Sequence, residues 1–485
     1  MALTDEINKD YQYCFKTVSM KRRLLVPIAG EYFETDWLDV SDYVLDISAI
    51  TWNIDDAELN EFTQGDFTLT LVSRLQEFSP ETNPGSFFSG YLTRHKTKIK
   101  ISAGYTDIET GTSYSYDVGV GFINADEINI ESDSTITIPC INPTMIFDEQ
   151  TAEDINDGTL AGGTVTTETD FRLRDAAASF DEHYIDLEVT NVTTGESTKI
   201  TNYVDGTQLM LQDDIFSLGD VYSFEGQIRW WRSQTITQLV QKLYDLQKDT
   251  NYVFHPFLDG SSISPGNDIT VDLADFTGMT CREALGKLAE ISNSCWYING
   301  DWELVFRDRE PAGASVYSFT NQGMYVNILG ASAYNDGLKK VKNRATWKDT
   351  LPLLIVEETG WQIGDDSSSW KYGVREYEFD NPFITDSTLQ TTICTAFLQE
   401  FSISREEIIL HTKFIPHLEL LDPVTVTYVG VAAKNPGYFW NKFYWNKGYW
   451  TGRIGGIQIQ ERAMKIIKLV YNVMDFTCDF KMRGV

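Results

Sequence analysis

Tyr372-Gly373-Val374-Arg375-Glu376-Tyr377 opens the stretch, running on to Tyr428, whose reading decides the fold. A break follows at Asn381-Pro382, then a helix, then two strands. Thr385 or Asp386 suits the helix N-cap, because a side-chain oxygen there can accept from an orphan backbone N–H. Leu389, Ile393, Phe397 and Phe401 recur at helical spacing, and Ala396 and Leu398 widen the apolar stripe. After Arg405 the period falls to two. Ile408, Leu410 and Phe414 share one face, and Ile409, His411 and Lys413 the other. Pro416 ends that strand. Leu418-Glu419-Leu420-Leu421-Asp422-Pro423 makes a corner, and Val424, Val426 and Tyr428 face one way in the next strand. A helical segment at 385–402 is thus inserted in a run of strands, and nothing in the stretch is catalytic on its face.

Outward from this stretch, 485 residues suit about three or four domains. A hydrophobic fraction of 42% and an aromatic fraction of 13% allow a large core. The balance of 39 basic against 71 acidic residues gives −32. That charge argues against sequence-specific nucleic-acid binding through phosphates, which needs Lys and Arg patches. It suits solubility, or a passage along which DNA slides without sticking. Cys14, Cys140, Cys281, Cys295, Cys394 and Cys478 form no C-x-x-C and lie mostly in apolar runs. They read as reduced core thiols of a chain folded in a cytoplasm. Residues 1–14 carry no signal-peptide core, and no 18-residue apolar run predicts a membrane span.

In chain order, residues 1–20 read as a flexible arm. Residues 21–150 read as a first antiparallel β-domain. In it Phe67, Leu69 and Leu71 oppose Thr68, Thr70 and Val72, further strands are expected at 98–103, 118–123 and 135–140, and Asn142-Pro143 is the exit. Residues 150–166 read as a linker, and 160–226 as a small inserted β-module with Ile185, Leu187 and Val189 alternating and a turn cluster at 191–195. An α/β unit follows at 227–318. Ile236, Leu239, Val240, Leu243 and Leu246 make one helical face, and a strand is expected at 251–257. Thr280 with Glu283 forms a capping box for a second helix, and Asn299-Gly300 between alternating segments signals a hairpin. Residues 319–485 read as a second β-domain carrying the helical insertion, closed by a hairpin turning near 461–463.

Three patterns in this order resemble the tail hub proteins at the base of phage tails, relatives of the baseplate hubs of contractile-tailed phages. The first is the opening stretch, where Pro416, Leu418, Asp422 and Val424 match a P-x-L-x-x-G-D-x-V segment; Leu421 stands where the family usually has Gly, and Pro423 also departs. The second is Phe62-Thr63-Gln64-Gly65-Asp66-Phe67-Thr68-Leu69-Thr70-Leu71 with Phe78-Ser79-Pro80. The third is Thr280-Cys281-Arg282-Glu283-Ala284-Leu285 through Gly300 and Leu304, with Asn299 where the family often has Asp. The resemblance spans roughly 24–143 and 230–485. It implies a multidomain, mainly β fold with two β-barrel-like hub domains and an α/β domain. It also implies a homotrimer whose two β-domains per chain build a pseudo-hexameric ring. That ring would join the six-fold tail tube and distal tail protein to three-fold tip or fibre proteins, beside the tape measure protein and around the channel for DNA ejection and host cell entry. A virion structural protein with no cofactor, assembled in the host cytoplasm, is the expectation. The 160–226 string also looks like a β-module inserted in phage tail and fibre proteins, so a host glycan is an alternative partner.

The search for chemistry returns no G-x-x-x-x-G-K-S/T, G-x-S-x-G or H-E-x-x-H. His411 and His417 flank a turn, Asp301 and Glu303 make a D-x-E, and Asp154, Asn156 and Asp157 miss the calcium-loop spacing. The rival classes are a carbohydrate-binding adhesin and a tail-associated peptidoglycan hydrolase. The candidate interface is the echo in 438–450, where Trp440, Trp445 and Trp450 recur with Tyr444, Tyr449, Lys442 and Lys447. In a regular strand Trp440 and Trp445 face opposite ways, so one is exposed or the chain turns between them. Exposed aromatics of this kind concentrate at interface centres.

Overall fold

Alternation of apolar and polar residues builds most of the molecule. The computed structural model describes residues 12–21, 23–26, 31–34, 36–54, 62–72, 97–107, 110–124, 127–132, 135–152, 162–167, 170–178, 180, 184–225, 230–246, 258–276, 278–309, 313–322, 326–335, 340–348, 354–357, 368–429 and 458–485. Phe67, Leu69 and Leu71 are buried and the intervening residues of Phe67–Val72 lie on the other face. This strand belongs to an eight-stranded antiparallel sheet. Its order is Leu38–Asp39, Gln12–Lys21, Lys98–Asp107, Ser113–Ile123, Thr135–Ile141, Phe67–Val72 and Val44–Ile47, with Asn129–Ser132 off the path. One expectation is corrected here. Residues 12–20 are not an arm: Gln12–Lys21 is a strand paired along its length with Lys98–Asp107, and Val18 and Met20 are buried.

The second large sheet runs Tyr317–Thr320, Pro423–Val429, Gln458–Asn472, Thr477–Gly484, Glu407–Lys413 and Ile328–Asn335. The fold is mainly β, with few helices and two curled half-barrel sheets. The spine of the second sheet is Gln458–Asn472. Its first half pairs with Pro423–Val429 and its second half with Ile50–Ile54. The hairpin of Ile50–Ile54 and Phe62–Gln64 therefore leaves the first sheet's stretch of sequence and completes the second sheet, where the corner before Pro423 leaves room. The expected hairpin at 461–463 is a second correction. Gln458–Asn472 is continuous there, with a bulge in its pairing to Pro423–Val429 and Glu461 at φ 45°; the chain reverses after Asn472, where Phe476 takes φ 50°.

Helix Ser387–Phe401 begins where its cap predicts. The Asp386 carboxylate accepts from the backbone N–H of Thr388 and Leu389 at 3.2 and 3.1 Å. The helix packs on a small sheet of Leu354–Glu357, Arg344–Trp347 and Glu376–Phe379, with Phe397 against Tyr377 and Phe379. Strand Glu407–Lys413 follows with Ile408 and Leu410 inward, as the period of two requires. The α/β unit has helices Ile236–Asp245 and Cys281–Ile291, each opened by a complete capping box, Thr235 with Gln238 and Thr280 with Glu283. Its described strands make a three-stranded sheet, Gly260–Ser264, Glu303–Asp308 and Ser294–Ile298, and a two-stranded pair, Trp230–Thr235 with Thr270–Asp275. The strand expected at 251–257 lies outside the described residues.

Both large sheets and the α/β unit share one hydrophobic core. The six-stranded sheet formed by strands within 163–225 has its own, built on Leu173, Phe180, Val189, Ile200, Leu209 and Tyr222. The expected linker is shorter than 150–166: Ala152 donates to the Met279 carbonyl, and Gly163–Thr164 is already a module strand. All six cysteines are free and five are buried, and burial pushes the Cys295 thiol up to about 11. Among the described residues no helix is long and apolar enough to cross a membrane.

Candidate functional site

The first sheet, the α/β hairpin and the second sheet meet at one cleft of about 270 Å³. Strand Ser113–Ile123 brings Asp117, the hairpin tip brings Asn299, Gly300 and Asp301, and the corner after Phe414 brings His417 and Glu419. The hairpin forms as Asn299-Gly300 predicts, but its glycine is needed for another reason. The left-handed backbone falls on Trp302, at φ 62°, whereas a Cβ on Gly300 would lie 2.4 Å from the Asp117 Cβ. Gly300 thus lets the hairpin tip close directly on the first sheet. The Asn299 carboxamide oxygen accepts from the backbone N–H of Asp301 and Glu303 and fixes the tip.

Trp52 fastens the three parts. It pairs with Leu469 in the second sheet, donates its indole N–H to the Val118 carbonyl at 2.9 Å, and meets the Tyr297 ring edge-on at 6.3 Å. Tyr297 donates to Glu419 at 3.3 Å, and the Arg307 guanidinium lies 5.5 Å from the Tyr297 ring while also bonding Glu419. Tyr471 donates to the Leu418 carbonyl at 3.0 Å from within the core. At the corner Leu421 takes φ 66°, the left-handed region that favours glycine, and is buried all the same.

The cleft's charges are held by this joint. Lys100 pairs with Asp117 at 3.0 Å, and the Ser102 hydroxyl donates to the same carboxylate. Burial, then the neighbouring Asp117, raises the Asp301 pKa. Burial lowers His417 to about 4, so its ring is neutral at pH 7, packed on Tyr116 and Tyr317. Burial pushes Asp422 up to about 6, although its carboxylate accepts from the Glu419 N–H at 2.8 Å. A raised carboxyl pKa favours the folded state most below the unfolded value and loses that benefit as pH climbs through about 6. Asp422→Asn keeps the acceptor and removes the charge. We expect it to raise the melting temperature at pH 7.5 and to leave it unchanged at pH 3.5; equal effects at both pH values would refute the assignment.

The residues singled out in the sequence fare unevenly. Trp440, Trp445, Trp450, Tyr444, Tyr449, Lys442 and Lys447 lie outside the described residues, as do Asp154, Asn156 and Asp157. His411 bonds Asp479 at 2.7 Å and does not share a site with His417. Among the described residues no three His, Cys, Asp or Glu side chains converge as metal ligands. Glu303 serves the turn, accepting from the Asn299 side chain and leaving Asp301 to face Asp117. Sequence reading missed the buried charges. Lys98, wholly buried, lies 3.4 Å from Asp259 and 5.1 Å from the Trp302 ring centre. Glu407 is bracketed by Lys340 and Lys481 at 2.7 and 3.1 Å, and Glu400 by Lys465 at 3.2 Å. Their signal is a charge at an inward position of a strand or helix, legible only once the packing is known.

No family model matches the chain, and no curated protein does. Solved structures do. A tail protein from Neisseria meningitidis aligns over 97% of this chain and 96% of its own at TM-score 0.45 and 8% identity. A prophage tail protein from Listeria monocytogenes aligns over 97% and 94% at 0.45 and 10%. A 43 kDa prophage tail protein from Shewanella oneidensis aligns over 97% and 98% at 0.42 and 11%.

Proposed function

We propose that the chain is the structural hub of a phage tail tip, a trimer whose ring joins the tail tube and distal tail protein to tip or fibre proteins around the DNA channel. The observation that carries this reading is the paired strands Ile50–Ile54 and Phe62–Gln64. They are encoded within the first β-domain but paired into the second sheet, and Trp52 ties both to the α/β unit. Two curled sheets locked in this way make one stiff two-lobed body, which suits load-bearing in a ring better than opening and closing around a substrate. The domains would be residues 21–150, 160–226, 227–318 and 319–485, extended at the first boundary by the strand from Gln12 and crossed by the 50–64 hairpin. An acidic chain of net −32 suits a channel wall past which a polyanion moves. The aromatic run at 438–450 is the proposed contact between protomers or with a neighbouring tail protein, its lysines meeting an acidic surface.

Mass photometry of the purified chain tests both parts. The expected species is a trimer of the 55.1 kDa chain, ring-shaped in negative stain. Trp445→Ala with Trp450→Ala should shift it toward monomer and leave the melting temperature near wild type. A chain that stays monomeric at micromolar concentration, or a variant that assembles normally, would overturn the corresponding part.

A further inference from the structure

The inserted module presents an aliphatic tip that its own fold does not use. Asn191 pairs with Tyr222 across two neighbouring strands, and both side chains are buried. One step along the ladder Val192 faces Val221, so these two side chains share the opposite, outer face. Val192 is 56% exposed, Val221 46%, and Leu218 on the adjoining loop 63%. The ladder continues outward through Thr164, opposite Val221 and also exposed. Elsewhere this face is polar, with Glu188, Ser197 and Lys199 exposed.

The tip is held rigidly. The buried Asn191 carboxamide donates to the Ile215 carbonyl at 2.7 Å and to Asp220 at 2.8 Å, and accepts from the N–H groups of Thr193 and Thr194. Asp220 also accepts from the Ser217 N–H, and Thr193 accepts from the Val221 N–H. Both loops that carry the apolar side chains are therefore fixed before any contact, which lowers the ordering cost of binding. Around them the module is acidic: residues 163–225 hold thirteen Asp and Glu against three Lys and Arg, and Glu196, Asp213 and Asp214 are exposed.

From this geometry we infer that Val192, Leu218 and Val221 form a docking surface for a protein segment with an apolar centre and a Lys/Arg rim. Aliphatic surface in an anionic frame is complementary to that chemistry. A sugar would be gripped by aromatic faces, and here Phe180, Phe216 and Tyr222 are buried in the module's core, while the exposed Phe171 sits by the far edge strand of the sheet. None of these three residues lines the hub cleft.

The test uses the full chain and three labelled peptides, alternating Leu/Lys, Leu/Glu and Ser/Lys, read by fluorescence anisotropy at moderate salt. Leu/Lys should bind and the other two should bind at least about tenfold more weakly, a gap of roughly 1.4 kcal/mol. Leu218→Ser with Val221→Ser should weaken Leu/Lys binding by a similar factor with an unchanged melt, because both side chains are exposed; Val221→Leu should retain it. Equal binding of Ser/Lys means charge alone attracts the peptide, and equal binding by the double serine variant places the contact elsewhere. Either result overturns the proposal, as does a fall in wild-type self-association caused by the same variant, which would assign the tip to a second copy.

Discussion

Replacing Trp52 with alanine is expected to cost about 3–5 kcal/mol, the range for removing a large buried aromatic side chain. The physical case rests on position as much as on size. Trp52 is 8% exposed, its indole N–H satisfies the Val118 carbonyl, and its ring meets Tyr297. Alanine leaves a cavity, frees a carbonyl in a buried setting and cuts contacts to three parts of the molecule at once. The effect should therefore be a loss of coupling as well as stability. In wild type the two sheets and the α/β unit share one core and should melt together, while the module with its separate core melts independently. Calorimetry of Trp52→Ala should show the main transition lowered and split in two. A variant that melts in one main transition within about 1 kcal/mol of wild type would show that the 50–64 hairpin is not the fastening the geometry makes it. Trp52→Phe, which keeps part of the ring contact and loses the hydrogen bond, should fall between.

How much of this was legible in the sequence depends on how far each signal reaches. Helix starts are local, so Thr280 with Glu283 was readable from a few residues, and of the two cap candidates Thr385 and Asp386 the helix uses Asp386. Strand faces are nearly as local, and Phe67, Leu69 and Leu71 turn inward as their alternation predicts. Gln12–Lys21 was missed because its polar half carries no strong pattern; it is a strand by virtue of Lys98–Asp107, more than seventy residues away. The placement of Ile50–Ile54 is the extreme case. Its alternation gives a strand, but nothing near it announces a partner at Lys468–Tyr471. Glu461 misled in the other direction, since polar residues in mid-run read as a turn where the chain only bulges. In the cleft, Asn299-Gly300 announced a hairpin, and only the packing revealed that the glycine is there for Asp117.

The second large effect concerns a group that alternation hid altogether. Glu400 sits on the last turn of helix Ser387–Phe401, almost fully buried, with Lys465 of the second sheet's spine 3.2 Å away. Arg309 and Arg483, both buried, add positive charge around it and lie over the Phe401 ring. Burial alone would raise the Glu400 pKa, but Lys465, Arg309 and Arg483 together hold it below the ordinary value. Glu400 is thus an anion among several buried cations, and it pins the inserted helix to the sheet. Glu400→Gln keeps the shape and removes the charge. It should cost about 3–5 kcal/mol, because buried cations lose part of their compensating charge when one partner is removed. The sign with pH follows from the lowered pKa: the stabilisation is full above the unfolded value near 4.5 and fades as pH falls through the lower folded value. Wild type and Glu400→Gln should accordingly differ most at pH 7 and converge toward pH 3 in urea unfolding. Lys465→Met in the Glu400→Gln background should recover part of the loss by removing the cation that loses its 3.2 Å partner. A constant difference across pH, or no recovery in the double variant, would mean that the helix is held by its aromatic contacts with Tyr377 and Phe379 and that the buried charges are incidental to it.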